Sequence, residues 1–186
     1  MHSWKRSTSF AAAMLAASAT LAAAQQPATL ITDLVADVSQ VEQKMLGLAR
    51  AMNEQQYAWG PGAPARTVGQ VFMHVAADNY LFPAVLGTPA DPATGIKGDD
   101  YKTAMAFESR KMSRDSVIAE LEKSFAFLKK TMQATPADRL GQQVSMFGQK
   151  FTGQQAWIMA TTHLHEHLGQ AIAYARSNNV KPPWSQ

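Results

Sequence analysis

The sequence predicts an all-α protein, folded as a four-helix bundle with a long crossover loop. In four segments the apolar residues recur with the period of an amphipathic helix. Two of these segments begin with a T-x-x-Q capping box, and no segment carries a convincing strand pattern. Four amphipathic helices without strands favour an antiparallel or crossover bundle, whose facing helices can enclose a metal site.

The first predicted helix covers about residues 30–53, where apolar residues repeat at alternating intervals of four and three. This stripe is typical of a bundle helix that buries one face. It consists of Leu34, Val38, Val41, Met45, Leu48 and Met52. The W-G-P-G run at 59–62 then interrupts the pattern, because proline and glycine do not continue a helix.

The second predicted helix starts at the capping box of Thr67 and Gln70, whose side chains each satisfy a free backbone N–H. His74 falls on its inward, apolar face. Asp78 lies one turn further along the same face. Pro83 is expected to end or kink the helix, because its ring blocks the regular hydrogen-bond pattern.

A long irregular segment is expected at 87–111, because prolines and glycines interrupt it. Loops of this length often act as lids, and this one is predicted to cross one end of the bundle. The third predicted helix covers about 114–134 and ends before Thr135-Pro136, since a residue that precedes proline disfavours helical geometry. A small extended turn around Gly148 is expected at 144–152.

The fourth predicted helix spans about 152–177, starts with the second capping box, and carries three of the five histidines. His163 and His167 lie four residues apart on one stripe, whereas His165 is expected to face solvent. Two half-buried imidazoles one turn apart can share a metal ion, but a tight site needs a third ligand. The inward His74 is the candidate. Three histidines leave coordination positions for water or substrate, as in a catalytic zinc-type site.

Three polar residues are candidates to orient these imidazoles through the second ring nitrogen, namely Asp78, Glu166 and Gln170. No Ser/His/Asp or Cys/His grouping offers a nucleophile, so the catalytic residues stay unknown. The H-E-x-x-H signature of zinc peptidases is also absent, since the run that begins with His165-Glu166 has glycine at position 169. A structural alternative stays open, in which the histidines are hydrogen-bonded core residues.

The first 24 residues are predicted to be an export signal. Lys5 and Arg6 precede an apolar run that ends in Ala22-Ala23-Ala24, an A-x-A type of cleavage site. The run is too short and too rich in alanine for a comfortable membrane span, so we expect no stable membrane anchor. We therefore predict a signal peptide at 1–24, a single domain at 25–186, and a periplasmic or secreted location.

Charge and cysteine content narrow the classes of partner. The formal net charge of +3 falls to +1 once residues 1–24 are removed, so we expect no nucleic-acid partner. The chain has no cysteine, which excludes disulfides and a lipid-modified N-terminal cysteine.

About residues 30–178 resemble the DinB family, which includes YfiT-like metal-dependent hydrolases. The resemblance rests on His74 in the run V-F-M-H, and on His163, His167, Gly169 and Gln170. These last four match the family pattern H-x-x-x-H-x-G-Q. The order of the helices, the run at 59–62 and the long crossover also agree.

The resemblance implies a divalent-metal site at His74, His163 and His167, with zinc or nickel preferred and iron as a further option. It also implies an enzyme of the hydrolase or thiol transferase type that acts on an unidentified small molecule. The export signal departs from the usual family pattern and argues against a cytosolic thiol as cosubstrate. A non-catalytic metal- or small-ligand-binding bundle of the cell envelope is the alternative, and a homodimer is left open.

Overall fold

The computed structural model describes residues 29–185, which form a bundle of long helices with several short helices and one hairpin. The predicted export signal at 1–24 lies outside these residues. In chain order the elements are α1 (Leu30–Ala51), α2 (Glu54–Tyr57), α3 (Val68–Val85), α4 (Tyr101–Glu108), α5 (Arg114–Gln133), α6 (Ala137–Gly141), β1 (Gln143–Met146), β2 (Gln149–Thr152) and α7 (Gly153–Ser177). The predicted all-α class is confirmed, since the only sheet among these residues is the two-stranded hairpin.

The four long helices, α1, α3, α5 and α7, pack around one apolar core. Helices α1 and α3 each contact both α5 and α7, so the two helices that carry the histidines are neighbours. Large apolar side chains fill the space between these helices. Fully buried examples are Trp157, Phe72, Phe125 and Met45. Within residues 29–185, no helix is both long and apolar enough to cross a membrane.

The predicted helix starts agree with the structure because both capping boxes form. The Thr67 side chain accepts a hydrogen bond from the backbone N–H of Gln70, whose own side chain accepts one from the Thr67 N–H. Thr152 and Gln155 repeat this arrangement at the start of α7. Pro83 lies in the last turn of α3, which ends two residues later, as expected for a proline in a helix.

The segment 87–111 is more ordered than predicted. It contains a 3₁₀ turn at Pro92–Thr94 and the whole of α4. Asp100 caps α4 by accepting a hydrogen bond from the backbone N–H of Lys102, and Phe107 is buried against α3. The prediction of an irregular segment was wrong because a helix of two turns has too few residues to show a clear periodicity.

The predicted extended turn is the β1–β2 hairpin, in which Gln143 pairs with Thr152 and Met146 with Gln149. At its tip Phe147 and Gly148 both have positive φ, at 53° and 74°. Two positive φ values in a two-residue loop define a type I′ turn. The second strand leads directly into α7, which fixes the hairpin beside the helix that carries His163 and His167.

Candidate metal centre

Three histidines from two neighbouring helices meet between α3 and α7. The Nε2 atom of His163 lies 3.3 Å from Nε2 of His74 and 3.1 Å from Nε2 of His167. One ring nitrogen from each of the three lies within 4.8 Å of the other two. His165 points away and pairs with Asp37 on the surface, 2.7 Å apart. The structure thus brings together the three histidines that the sequence singled out and leaves out the fourth.

The distances between the imidazole nitrogens suit a single cation. Two nitrogens that ligate one ion at about 2.1 Å lie roughly 3.0 Å apart in octahedral geometry and roughly 3.4 Å apart in tetrahedral geometry. The two Nε2 distances at His163 fall within this interval. Three neutral imidazoles are also a donor set that first-row transition metals accept. These residues can therefore hold a divalent metal ion, and the donor set alone does not select which one.

His74 is oriented by a carboxylate from α4. Its Nδ1 lies 2.9 Å from Oε2 of Glu108, whose side chain is only 15% exposed and forms an ion pair with Arg66. With the proton on Nδ1, His74 donates to Glu108 and keeps the Nε2 lone pair free for an ion. Neither Glu108 nor Arg66 was predicted. Glu108 lies in the segment that was expected to be irregular, and Arg66 precedes the second predicted helix.

His167 is oriented by its own helix. Its Nδ1 donates to Oε1 of Gln170 over 2.9 Å, and the Gln170 amide donates to the hydroxyl of Tyr174 over 3.0 Å. The Tyr174 ring packs edge-on against Trp59, with the centroids 5.2 Å apart. The W-G-P-G run before α3 thereby supports the histidine through a chain of contacts. Gln170, one of the predicted orienting residues, thus contacts the outer nitrogen of His167.

Asp78 occupies a different position from the predicted one. Its Oδ2 lies 2.7 Å from Nε2 of His163 and 3.2 Å from Nε2 of His74, so it faces the nitrogens that converge and not the outer ones. The reason is helical geometry, since Asp78 follows His74 by one turn on the same face. Asp78 can therefore act as a fourth donor or as a proton acceptor beside the ion.

Glu166, the third predicted orienting residue, contributes little. Its carboxylate lies 3.5 Å from Nδ1 of His163, and its side chain is 74% exposed. A contact of this length in solvent is a weak hydrogen bond at best. His163 is thus held mainly through Asp78, whereas His74 and His167 each have a firm partner on the outer nitrogen.

The pKa values of His167 and His163 are shifted in opposite directions. Burial lowers the pKa of His167 to about 4, with further lowering by the neighbouring His74 and His163, although the bond to Gln170 opposes it. Burial also acts to lower the pKa of His163, but the hydrogen bond and charge of Asp78 outweigh it, and the net pKa is raised. At neutral pH His167 is therefore a neutral ligand, whereas Asp78 favours the protonated form of His163, with which an incoming ion competes.

Glu108 is also ionised at neutral pH. Burial on its own raises the pKa of this carboxyl, but hydrogen bonds from His74 and Arg66 lower it to about 2. The site therefore contains a fixed negative charge on the outer side of His74, which strengthens that imidazole as a ligand.

A cleft of about 280 Å³ opens beside the histidines. Polar groups line its inner part, namely Arg66, His74, Asp78, Glu108 and His163. The remainder is mostly apolar and consists of Leu81, Phe82, Tyr101, Ala104, Met105, Phe147 and Met159. Larger cavities of about 380, 390 and 500 Å³ have no histidine in their lining, so the smaller cleft is the candidate site.

These observations define a class of protein: a helical bundle with a three-histidine cluster that is accessible from a partly apolar cleft. The chain belongs to the DinB superfamily, whose sequence model matches residues 37–171. The match contains all three histidines. Among proteins with curated functions, no significant match is found.

Two solved structures resemble this fold. A DinB-like protein from Bacillus cereus superposes with a TM-score of 0.66 at 12% identity, covering 82% of this chain and 95% of that chain. A DinB-like protein from Bacillus subtilis gives a TM-score of 0.63 at 14% identity, covering 83% and 98% respectively. At such low identity the likeness shows the fold alone. It agrees with the bundle predicted from the sequence.

Proposed function

We propose that this protein is a divalent-metal-dependent enzyme, of the hydrolase or thiol transferase type, with His74, His163 and His167 as its metal ligands. The observation that carries the proposal is the convergence of three Nε2 atoms, two of which belong to His74 and His163 in the lining of a cleft of about 280 Å³. Zinc or nickel is the proposed metal, with iron as a further option, because imidazole suits all three.

A divalent ion held by these nitrogens supplies Lewis acidity to an oxygen or sulfur atom of the substrate. The chain itself supplies the remaining parts. Glu108 and Gln170 fix the orientation of two imidazoles by accepting their outer N–H groups. Asp78, in the inner part of the cleft, can accept a proton at Oδ2 from a nucleophile that enters there. Leu81, Phe82 and Ala104 give the cleft a buried apolar wall beside these polar groups.

A second candidate function follows from the position of Asp78. If Oδ2 occupies a fourth coordination position, the ion has a closed shell, which is typical of structural or storage sites. The protein would then be a non-catalytic metal- or small-ligand-binding bundle of the cell envelope. Access from the cleft to His74 and His163 favours the enzyme, because a closed structural site has no need of an opening.

Metal analysis of the purified protein, followed by a screen of ester and thiol substrates with and without chelator, tests the enzyme proposal. We expect a bound divalent ion and a turnover that chelation abolishes and metal restores. Asp78→Asn separates the two candidates. It should reduce turnover while the ion stays bound if Asp78 accepts a proton, whereas loss of the ion would support the closed site.

We further propose that the protein is exported, which rests on the signal-like residues 1–24. Mass spectrometry of the native protein should find the mature N-terminus at Gln25 or within a few residues of it. Retention of residues 1–24 in a cytoplasmic fraction would overturn this location.

A further inference from the structure

We propose that the cleft beside the histidines takes a small, uncharged aromatic compound, with its ring at the cleft mouth and one metal-binding oxygen or sulfur directed inward. This inference rests on the proposed metal-binding function, which supplies the inner anchor. It is carried by the exposure, backbone geometry, charge and volume of the cleft.

The mouth of the cleft is formed by apolar side chains that are exposed to solvent. Met105 and Phe147 are each 58% exposed and Tyr101 is 50% exposed, and all three line the same cleft. They come from α4 and from the hairpin tip, which are distant in sequence. Exposed apolar side chains that gather at one opening mark a binding site more often than scattered ones do. Aromatic rings and methionine sulfur both make favourable contacts with an aromatic ligand.

The backbone conformation of Phe147 lowers the stability of the hairpin. Its φ of 53° is the left-handed conformation that asparagine and glycine adopt easily in a type I′ turn. For a bulky side chain the same conformation is uncommon and disfavoured. The hairpin would therefore be more stable with another residue at this position. We infer that the ring serves to line the cleft, where its centroid lies 6.1 Å from that of Tyr101.

Charged groups along the cleft are already paired and lie in its inner part. Arg66 forms an ion pair with Glu108, and Asp78 contacts His163. Arg66 is the one Lys or Arg among the described residues that line the cleft, and its guanidinium is engaged by Glu108. Hydroxyl-rich or charged ligands would bury polar groups against Phe147 and Met105 without partners, which is costly. An uncharged ring avoids this cost.

The volume of the cleft suits a ligand with one ring. Benzene fits an apolar cavity of about 150 Å³ in a well-studied protein. A cleft of about 280 Å³ therefore has room for a substituted single ring and its metal-binding group. Larger ligands would extend past Tyr101 and Phe147 towards a neighbouring cavity of about 500 Å³ that both side chains also line.

The test compares hydroxamates, which share one metal-binding group, by calorimetry on the zinc-loaded protein. We expect benzohydroxamate to bind at least about tenfold more tightly than acetohydroxamate, because its ring is buried at the mouth. Cyclohexanecarbohydroxamate should bind more weakly than benzohydroxamate. Phe147→Asn keeps the left-handed turn and removes the ring, and Met105→Ser removes a second wall. Both variants should bring the benzohydroxamate to acetohydroxamate ratio towards one.

Ile158→Ser is the matched control, because Ile158 is an exposed apolar residue of α7 that does not line the cleft. It should leave the ratio unchanged. Equal affinities for benzohydroxamate and acetohydroxamate in a metal-loaded protein would overturn the inference alone, as would ratios that Phe147→Asn and Met105→Ser do not alter. Equal binding of the cyclohexyl compound would overturn its aromatic part. A protein that binds neither zinc nor any hydroxamate would overturn the proposed function as well.

Discussion

The hydrogen bond from His74 to Glu108 fixes which nitrogen of that imidazole faces the other two histidines. With Nδ1 engaged at 2.9 Å, only Nε2 can reach the shared centre. Arg66 holds the carboxylate in place by an ion pair with it. Glu108 is therefore a positioning residue, and its charge also makes His74 a better donor to a cation.

Replacing Glu108 by glutamine should weaken metal binding about tenfold or more, because the charge behind His74 and the ion pair with Arg66 are both lost. Competition against a chelator of known affinity measures the effect. Glu166→Gln is the control, since that carboxylate is exposed and only 3.5 Å from His163. Its affinity should stay close to that of the unaltered protein, and equal losses in the two variants would contradict the positioning role.

Glu108 should also make stability depend on pH in the acid range. Its pKa is lowered from 4.5 to about 2 in the folded protein by His74 and Arg66, against the effect of burial. A carboxyl whose pKa is lowered on folding stabilises the fold at pH values above its pKa in the unfolded chain. This stability is lost as the pH falls through its pKa in the folded protein. Metal-free Glu108→Gln should thus be less stable than the original near neutral pH. Urea unfolding should show that the difference in stability between the two proteins disappears as the pH falls from 4.5 to about 2. A difference that does not change with pH would contradict the assignment.

The three histidines could be predicted because helical spacing is a local property. His163 and His167 share a stripe with Gln170 on one helix, and the apolar neighbours of His74 point it inward. Glu108 could not be predicted, since it meets His74 only after α4 folds back across 34 residues of chain. The position of Asp78 relative to the converging nitrogens depends on the separation between α3 and α7, which the sequence does not contain.

Among the elements, α5 shows how a long helix contributes to the fold independently of the site. Leu121 on its inner face is completely buried, as are Phe125 and Met132. Leu121→Ala should therefore lower the free energy of unfolding by about 2 to 4 kcal/mol, through lost burial and a residual cavity. Lys123→Ala, on the exposed side of the same helix, should change it by less than about 0.5 kcal/mol. Denaturant titration compares them, and similar losses would contradict the packing described.

Prediction at the level of elements succeeded for long helices and failed for short ones. The capping boxes at Thr67 and Thr152 identify two helix starts because their hydrogen bonds are local. Helix α4 has only two buried apolar residues, Ala104 and Phe107, and it packs against α3. A pattern of two positions cannot be distinguished from chance in a sequence.

At the scale of the whole molecule, the core extends through all four long helices and does not depend on the histidine cluster. The described chain is large enough to bury a full core without metal or disulfides. Chelation should therefore leave the far-ultraviolet circular dichroism helical, with a modest loss of thermal stability from the lost ligand. Collapse of the helical signal on chelation would instead indicate that metal binding drives folding.

The metal content of four histidine variants tests the central claim most directly. His74→Ala, His163→Ala and His167→Ala each remove one converging nitrogen, whereas His165→Ala removes an imidazole that pairs with Asp37 on the surface. Elemental analysis after zinc loading and desalting should find a single ion in the original protein and in His165→Ala, and none in the other three. Full metal retention in all four variants, or equal loss from all four, would contradict the proposed ligand set.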